Sequence, residues 1–351
     1  MTISAELAPA GVDFQAAAPE TTQARDEQDV LLSVRDLEVS LIHPDRVVQL
    51  VRGISFDIRR GEVLGIVGES GAGKSMAGTA LTGLLDGALK RTGGEILLNG
   101  RRIDTLSPRQ MSKVRGAEIG MIFQDPLTSL NPVFTIGRQL IETIVQHTDL
   151  RGAAAYEDAV SLLQQVGIPA ARERMESYPH EFSGGMRQRV VIALALAGRP
   201  QLIIADEPTT ALDVSIQAQI IMLLKRLCRE RGTAVILITH DMGVVATTAN
   251  RVAVMYAGRI VENGPVAEVI GNARHPYTRG LMRSIPEIGH RVRRLPQIDG
   301  AMPRPDRLPP GCSFWPRCPA AFDRCKAERP TLIGDAGHVA ACWLNVEARP
   351  A

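Results

Sequence analysis

Val63-Leu64-Gly65-Ile66-Val67-Gly68-Glu69-Ser70-Gly71-Ala72-Gly73-Lys74-Ser75 decides the fold. Its apolar start reads as a strand buried on both faces, and the glycine-rich stretch after it leads into a helix opening near Lys74. From Gly68 to Ser75 the residues fit G-x-x-x-x-G-K-[ST], and a strand before and a helix after are the context that gives this pattern meaning. Glycines let the backbone wrap closely and aim N–H groups at phosphate oxygens. The helix N-terminus adds a favourable dipole. Lys74 supplies a mobile positive charge for the β- and γ-phosphates, and the Ser75 hydroxyl suits Mg²⁺. Gly68, Glu69, Ser70, Gly71, Ala72, Gly73, Lys74, Ser75 and Met76 are therefore the expected contacts to a nucleotide's phosphates.

A second apolar run, Leu202-Ile203-Ile204-Ala205, ends in Asp206-Glu207. Carboxylates at the C-terminal end of a buried strand stand where open α/β sheets bind ligands. Asp206 is placed to hold the Mg²⁺ shell, and Glu207 to orient or deprotonate an attacking water. A third buried run spans residues 234–239. Residues 31–58 read as two strands joined by a turn at Pro44-Asp45, and Val252 to Glu262 as a hairpin turning at Ala257-Gly258. Between these lie helical stripes, Tyr156/Val160/Leu163 and Ile216/Ile220/Leu223/Leu224/Leu227. Strands alternating with helices specify an α/β core with a parallel sheet, with a helical subdomain over about 128–197.

The bulk numbers exclude several classes. A length of 351 residues allows more than one domain, and 45% hydrophobic with 22% charged residues suits a soluble globular chain. A net charge of +2 and 4% aromatic residues argue against nucleic-acid binding. The apolar run Val190–Gly198 is closed by Arg189 and Arg199, well short of the roughly 20 residues a membrane span needs. Any membrane is therefore met through another protein. Residues 1–29 lack the basic start and apolar block of a secretory signal and read as a flexible arm.

From about residue 291 the composition shifts to Arg, Pro, Gly and Cys, which sets a boundary between a 30–290 domain and a 291–351 tail. Cys312, Cys318, Cys325 and Cys342 follow a C-x5-C-x6-C-x16-C spacing, whereas Cys228 adjoins the apolar stripe and reads as core. A segment with little periodic apolar sequence gains cross-links from a four-thiolate metal site. Zinc and an iron–sulfur cluster both suit four thiolates, and the absence of a tight C-x2-C knuckle favours the cluster. Four reduced, unligated thiols are the remaining alternative.

Ser183-Gly184-Gly185-Met186-Arg187-Gln188-Arg189, Gln124 within Met121–Asp125, Thr210-Ala211-Leu212-Asp213 and His240 occur in that order around the phosphate loop. Together they resemble the ATP-binding cassette (ABC) family, over roughly residues 31–265. The resemblance implies a P-loop NTPase cassette: a RecA-like parallel-sheet core, an antiparallel β subdomain and a helical subdomain. It also implies roles. Gln124 reaches the Mg²⁺ and the water, so Ser75, Gln124 and Asp206 form the magnesium set. Glu207, Gln124 and His240 form the catalytic set, and His240 senses the γ-phosphate. Ser183, Gly184, Gly185 and Gln188 form a signature that caps ATP held by a partner cassette, and Asp213 belongs to the D-loop. The stretch before the phosphate loop, Leu41–Asp45, offers no aromatic residue to stack on adenine, which leaves His43 and its aliphatic neighbours.

Asp125–Pro132, His275–Leu281 and Pro310–Pro319 look like the oligopeptide/dipeptide importer subgroup, whose relatives also carry nickel. That likeness implies ATP and Mg²⁺ as ligands and a second cassette subunit, a paralogue, as partner. Two permease subunits complete the assembly, peripheral to the cytoplasmic face of the membrane. An extracytoplasmic solute-binding protein feeds the system. Members with this tail carry a 4Fe-4S cluster, which the resemblance prefers to zinc at the four cysteines. A soluble ABC ATPase of DNA repair or translation is the rival reading. Such a protein would carry a long coiled-coil insertion or two cassettes in one chain, and this chain has neither.

Overall fold

The computed structural model describes residues 29–210, 212–284, 297–335 and 337–347. All but Asp29 of the expected arm lies outside these residues, as do Ala211 of the D-loop and the expected boundary at 291.

Two sheets carry the molecule. The smaller one, in the order β2-β1-β4-β5, is antiparallel and contains β1 (Val30–His43), β2 (Arg46–Arg59), β4 (Leu89–Leu98) and β5 (Arg101–Arg102). Its first two strands form the hairpin expected at Pro44-Asp45, pairing His43 with Arg46. Leu32, Val34, Leu37, Val39, Ile54 and Phe56 turn inward from it, while Arg35 and Asp57 pair on the outer face.

The larger sheet runs β11-β12-β10-β9-β3-β8-β7-β6. Its parallel part comprises β3 (Val63–Val67), β6 (Ile119–Ile122), β7 (Leu202–Asp206), β8 (Ala234–Thr239) and β9 (Arg251–Tyr256). Every residue of β3, β7 and β8 is buried, as sheets covered on both faces require. Register sets the site. Val67 pairs with Thr239, Asp206 with Ile238, and Ile122 with Ala205, so the carboxyl ends of four strands align along one edge. Gly68, His240, Glu207 and Gln124 leave the sheet at that edge.

The helical region holds helices at Ile136–His147, Gly152–Gln165 and Gly184–Ala197. Their core includes Leu140, Ile144, Val160, Leu163, Val190 and Ile192. Burying each such aliphatic side chain contributes about 1.5–3 kcal/mol before entropy is counted.

The tail does not stand apart from this core. The predicted hairpin forms, with β10 (Arg259–Pro265) antiparallel to β9. β12 (His338–Ala340) then pairs with β10 at Glu262 and Asn263, and β11 (Ile333–Asp335) pairs with β12. Glu262, fully buried, accepts from the backbone N–H groups of Arg274 (2.6 Å) and His275 (2.9 Å) and lies 2.8 Å from His338 Nε2. The low apolar periodicity of the tail had hidden this attachment, because two short strands need no core of their own when an existing sheet edge receives them.

Candidate active site

The phosphate loop is shaped by backbone that only glycine takes easily. Gly68 has φ 152°, and a Cβ there would lie 2.2 Å from the Met255 carbonyl oxygen. Gly73 caps the helix Lys74–Leu81 in the left-handed region, at φ 99°. Lys74 is buried, and its Nζ donates to the carbonyls of Gly68 (2.8 Å) and Glu69 (3.1 Å). Burial pulls its ammonium below the ordinary lysine range, while the carboxylates of Glu207, Asp206 and Glu69 oppose that shift. Met76 follows within the helix and is half-buried.

Ser75 Oγ donates to Asp206 Oδ1 at 2.9 Å, so the hydroxyl and carboxylate expected to share Mg²⁺ already meet. Burial raises the Asp206 carboxyl above its usual range, with the neighbouring Glu207 adding to the effect. A buried acid raised in this way is one that a cation would stabilise in its charged form. The donor set, a hydroxyl and a carboxylate with a side-chain amide nearby, is the oxygen set that Mg²⁺ takes.

Glu207 is the hub. It adopts φ 45°, a left-handed backbone rare for a non-glycine residue, which turns its side chain off the strand end. Its Oε2 accepts from Gln124 Nε2 at 3.1 Å and from Thr210 Oγ1 at 2.9 Å, and its Oε1 stands 3.2 Å from His240 Nδ1. Burial works against its charge, but the Thr210 and His240 hydrogen bonds outweigh it and hold the carboxyl below its usual range. A carboxylate kept ionised beside a phosphate site is equipped to orient and deprotonate water. The three expected catalytic residues are thus brought together, with Gln124 turned to Glu207. Thr210, noted in the sequence only as part of the D-loop, joins them.

The signature stands at a different place. Ser183 caps the helix Gly184–Ala197, its side chain accepting from the Met186 N–H. Ser183 and Gly184 are exposed, and Gly185 packs against Ile216. Gln188 is buried, with its Nε2 lacking a partner among the described residues. Asp213 is exposed and caps the next helix, Val214–Arg231, through the Ile216 N–H.

The segment after Gln124 divides its apolar side chains between surface and core. Leu127 and Val133 are 62% and 69% exposed, but Leu130 is buried at 3%. Phe134 is half-buried with the Arg138 guanidinium 3.8 Å over its ring.

In the tail, Cys312, Cys318, Cys325 and Cys342 line one small cavity beside Phe314, Trp315 and Trp343. Burial raises the thiols of Cys312 and Cys318 and takes Cys342 up to about 11, the other three cysteines adding to the shift at Cys342. Among the described residues no group of three or more His, Cys, Asp or Glu side chains is set to hold a single metal ion. Cys228 is core, as expected, and burial raises its thiol to about 12.

Sequence reasoning missed one set of contacts. Arg317 forms a two-pronged pair with the carboxylate of Glu69, at 2.9 and 3.1 Å, and the Tyr277 hydroxyl accepts from the Glu69 N–H at 2.8 Å. The available signal was a carboxylate at a loop position where phosphate chemistry needs none.

Two solved structures share the architecture. A dimeric post-hydrolysis state of the ATP-binding cassette MJ0796, bound to ADP and Pi, is 26% identical with a TM-score of 0.60, covering 67% of this chain and 98% of that one. The protein cbiO1 from Clostridium perfringens, part of the ABC transporter complex cbiONQ, is 31% identical with a TM-score of 0.61, covering 70% and 92%. Fold and site together define a P-loop ATPase of the cassette type. Residues 51–210 match the ABC transporter family and residues 261–325 the oligopeptide/dipeptide transporter C-terminal region. The oligopeptide transport ATP-binding protein OppD of Salmonella typhimurium is 49% identical over 326 residues, 93% of this chain and 97% of that protein. The dipeptide transport ATP-binding protein DppD of Bacillus subtilis is 48% identical over 318 residues, 90% and 95%. The chain belongs to the oligopeptide/dipeptide group of ABC transporter ATP-binding proteins, and its chemistry is ATP hydrolysis. None of the described helices is long and apolar enough to cross a membrane.

Proposed function

We propose that this chain energises peptide import as one half of a two-cassette dimer, seated beneath two permease subunits at the cytoplasmic face of the membrane. The observation that carries the dimer is the exposed helix N-terminus at Ser183 and Gly184. Such an end attracts anions, and the chain has a single phosphate loop, whose own helix already serves it. A partner's γ-phosphate is the anion that fits, and the partner is a paralogous cassette. The names of the oligopeptide and dipeptide relatives support the cargo, with a solute-binding protein delivering it outside.

The assigned residues divide the chemistry. Gly68 to Met76 enclose the phosphates, and Ser75, Asp206 and Gln124 would hold Mg²⁺, which spreads the charge developing on the phosphoryl group. Glu207 takes the proton from the attacking water, Gln124 orients that water, and His240 bonds the γ-phosphate. Gly185 and Asp213 complete the surface that meets the partner, with Gln188 supporting it from inside. ATPase assays on the chain reconstituted with its permeases in proteoliposomes test the reading. Peptide-loaded binding protein should raise turnover. Co-purification with ribosomes or nucleic acid instead of permeases would replace it with the repair or translation reading.

We further propose that Cys312, Cys318, Cys325 and Cys342 hold a 4Fe-4S cluster within a C-terminal unit spanning 291–351. Support comes from the four thiols lining one cavity, four thiolates being the ligand set of such a cluster. Protein purified without oxygen should contain iron and sulfide and absorb broadly near ~400 nm. Stoichiometric zinc in colourless protein would overturn the cluster.

A further inference from the structure

Glu69 poses an electrostatic problem. It occupies the second position of a loop that must receive a polyphosphate, and a carboxylate there repels the incoming charge. The structure resolves the problem from far along the chain. Arg317 Nη1 and Nη2 donate to Glu69 Oε2 and Oε1 at 2.9 and 3.1 Å, and the arginine side chain is 7% exposed against 28% for the glutamate.

The guanidinium is itself fixed. Its Nε donates to the Asp299 carbonyl at 2.9 Å, Nη2 to the Ile298 carbonyl at 3.3 Å and Nη1 to the Tyr256 hydroxyl at 3.4 Å. The rings of Tyr256 and Phe314 stand 5.8 and 5.9 Å from it, and Tyr256, Tyr277 and Phe314 pack together with centroids 4.7–5.4 Å apart. Tyr277 holds the backbone of the same glutamate. The Glu69 carbonyl in turn accepts from Lys74 Nζ, so the position of residue 69 helps set the position of the lysine.

We propose that Arg317 is a positioning residue for ATP binding, and that through it the cysteine-bearing tail braces the phosphate loop. Arg317 cancels the Glu69 charge and holds the loop open in its receiving shape. The segment from Cys312 to Cys318 that presents Arg317 is tied to Cys325 by the Cys312 N–H donating to the Cys325 carbonyl at 2.9 Å. A change of state at those thiols therefore has a direct mechanical route to the loop. The inference rests on ATP hydrolysis being the chemistry of this chain.

The test is titration of the full-length chain with a fluorescent ATP analogue, alongside steady-state ATPase of the assembled transporter. Arg317→Met should weaken nucleotide affinity and raise KM for ATP by about tenfold, within the range of coupling between linked sites, with kcat little changed. Adding Glu69→Gln to Arg317→Met should recover much of that loss, because the unpaired carboxylate is gone. A tail that merely stabilised the fold would make the double variant no better than the single one, and that result would overturn the proposal. So would unchanged affinity in Arg317→Met. If Arg317→Met does not fold, Arg317→Lys serves in its place: it keeps the charge but loses the two-pronged geometry, and its KM should lie above that of wild type. An Arg317→Lys KM equal to wild type overturns the geometric part. Failure of the wild-type chain to bind the analogue would instead refute the ATPase reading on which the proposal stands.

Discussion

Gln124 Nε2 donates to Glu207 Oε2 at 3.1 Å, joining the exit of β6 to the exit of β7. The amide that leads into the helical region is thus engaged by Glu207, the residue proposed as general base. The segment directly after Gln124 enters that region through Asp125, which caps the short helix Pro126–Ser129 by accepting from the Leu127 N–H at 2.8 Å. One hydrogen bond thus connects the entry to the helical region with Glu207.

Glu207→Gln keeps the shape and one acceptor oxygen but removes the base and its charge. ATP turnover should fall by at least ~100-fold while ATP binding persists. An ATP-stabilised dimer should accumulate, detectable by size-exclusion chromatography. Turnover near the wild-type rate would assign the base to another residue.

Ser183→Arg places a bulky cation at the exposed N-terminus of the helix Gly184–Ala197. The substituted chain should still bind ATP at Lys74 and Ser75, yet damage hydrolysis at its partner's site. The check is a mixed dimer with one Lys74→Ala subunit, assayed with the serine change on either side. Full-rate hydrolysis by monomer, independent of concentration, would refute the two-cassette arrangement.

The segment Asp125 to Gly137 should touch a permease through Leu127 and Val133, its two most exposed apolar side chains. Cysteines placed at these positions should cross-link to permease subunits. The same substitution at Leu130 should instead destabilise the chain by about 2–5 kcal/mol, because that side chain is buried. Cross-links found solely to the other cassette would remove the permease contact.

His275 gives stability a pH dependence. It is buried, and burial lowers its imidazole from 6.5 to about 3, with Arg279 adding to the effect. Its Nδ1 accepts from the Tyr277 N–H at 3.1 Å, which requires that nitrogen to be unprotonated. Between those two pKa values the unfolded chain binds a proton that the native chain does not. Stability is therefore whole above pH ~6.5 and declines on acidification, by about 1.4 kcal/mol per pH unit from this group, until the native imidazole titrates near 3. Urea denaturation across pH 4–7 should show this slope, and His275→Asn, which can still cap the helix Pro276–Arg283, should flatten it.

What the sequence by itself determined is the set of features written in contiguous residues. The buried strand, the glycine loop and Lys74-Ser75 are legible because strand burial, left-handed glycines and a helix start each leave a local mark. Asp206-Glu207 at a strand end and the Ser183 helix cap are legible for the same reason. Order along the chain then sufficed to recognise the cassette. Tertiary structure alone decided the rest. It decided that Leu130 turns inward while Leu127 and Val133 do not, since a short capped helix has no period long enough to read. It decided that β12 adds to β10, because an edge strand accepts any extended partner of compatible register and the sequence does not name one. And it decided that Arg317 meets Glu69 across 248 residues of chain. A salt bridge has no sequence period, and its partners are chosen by the folded surfaces that bring them within about 3 Å, here the tail turn that presents Arg317 and the phosphate loop that presents Glu69.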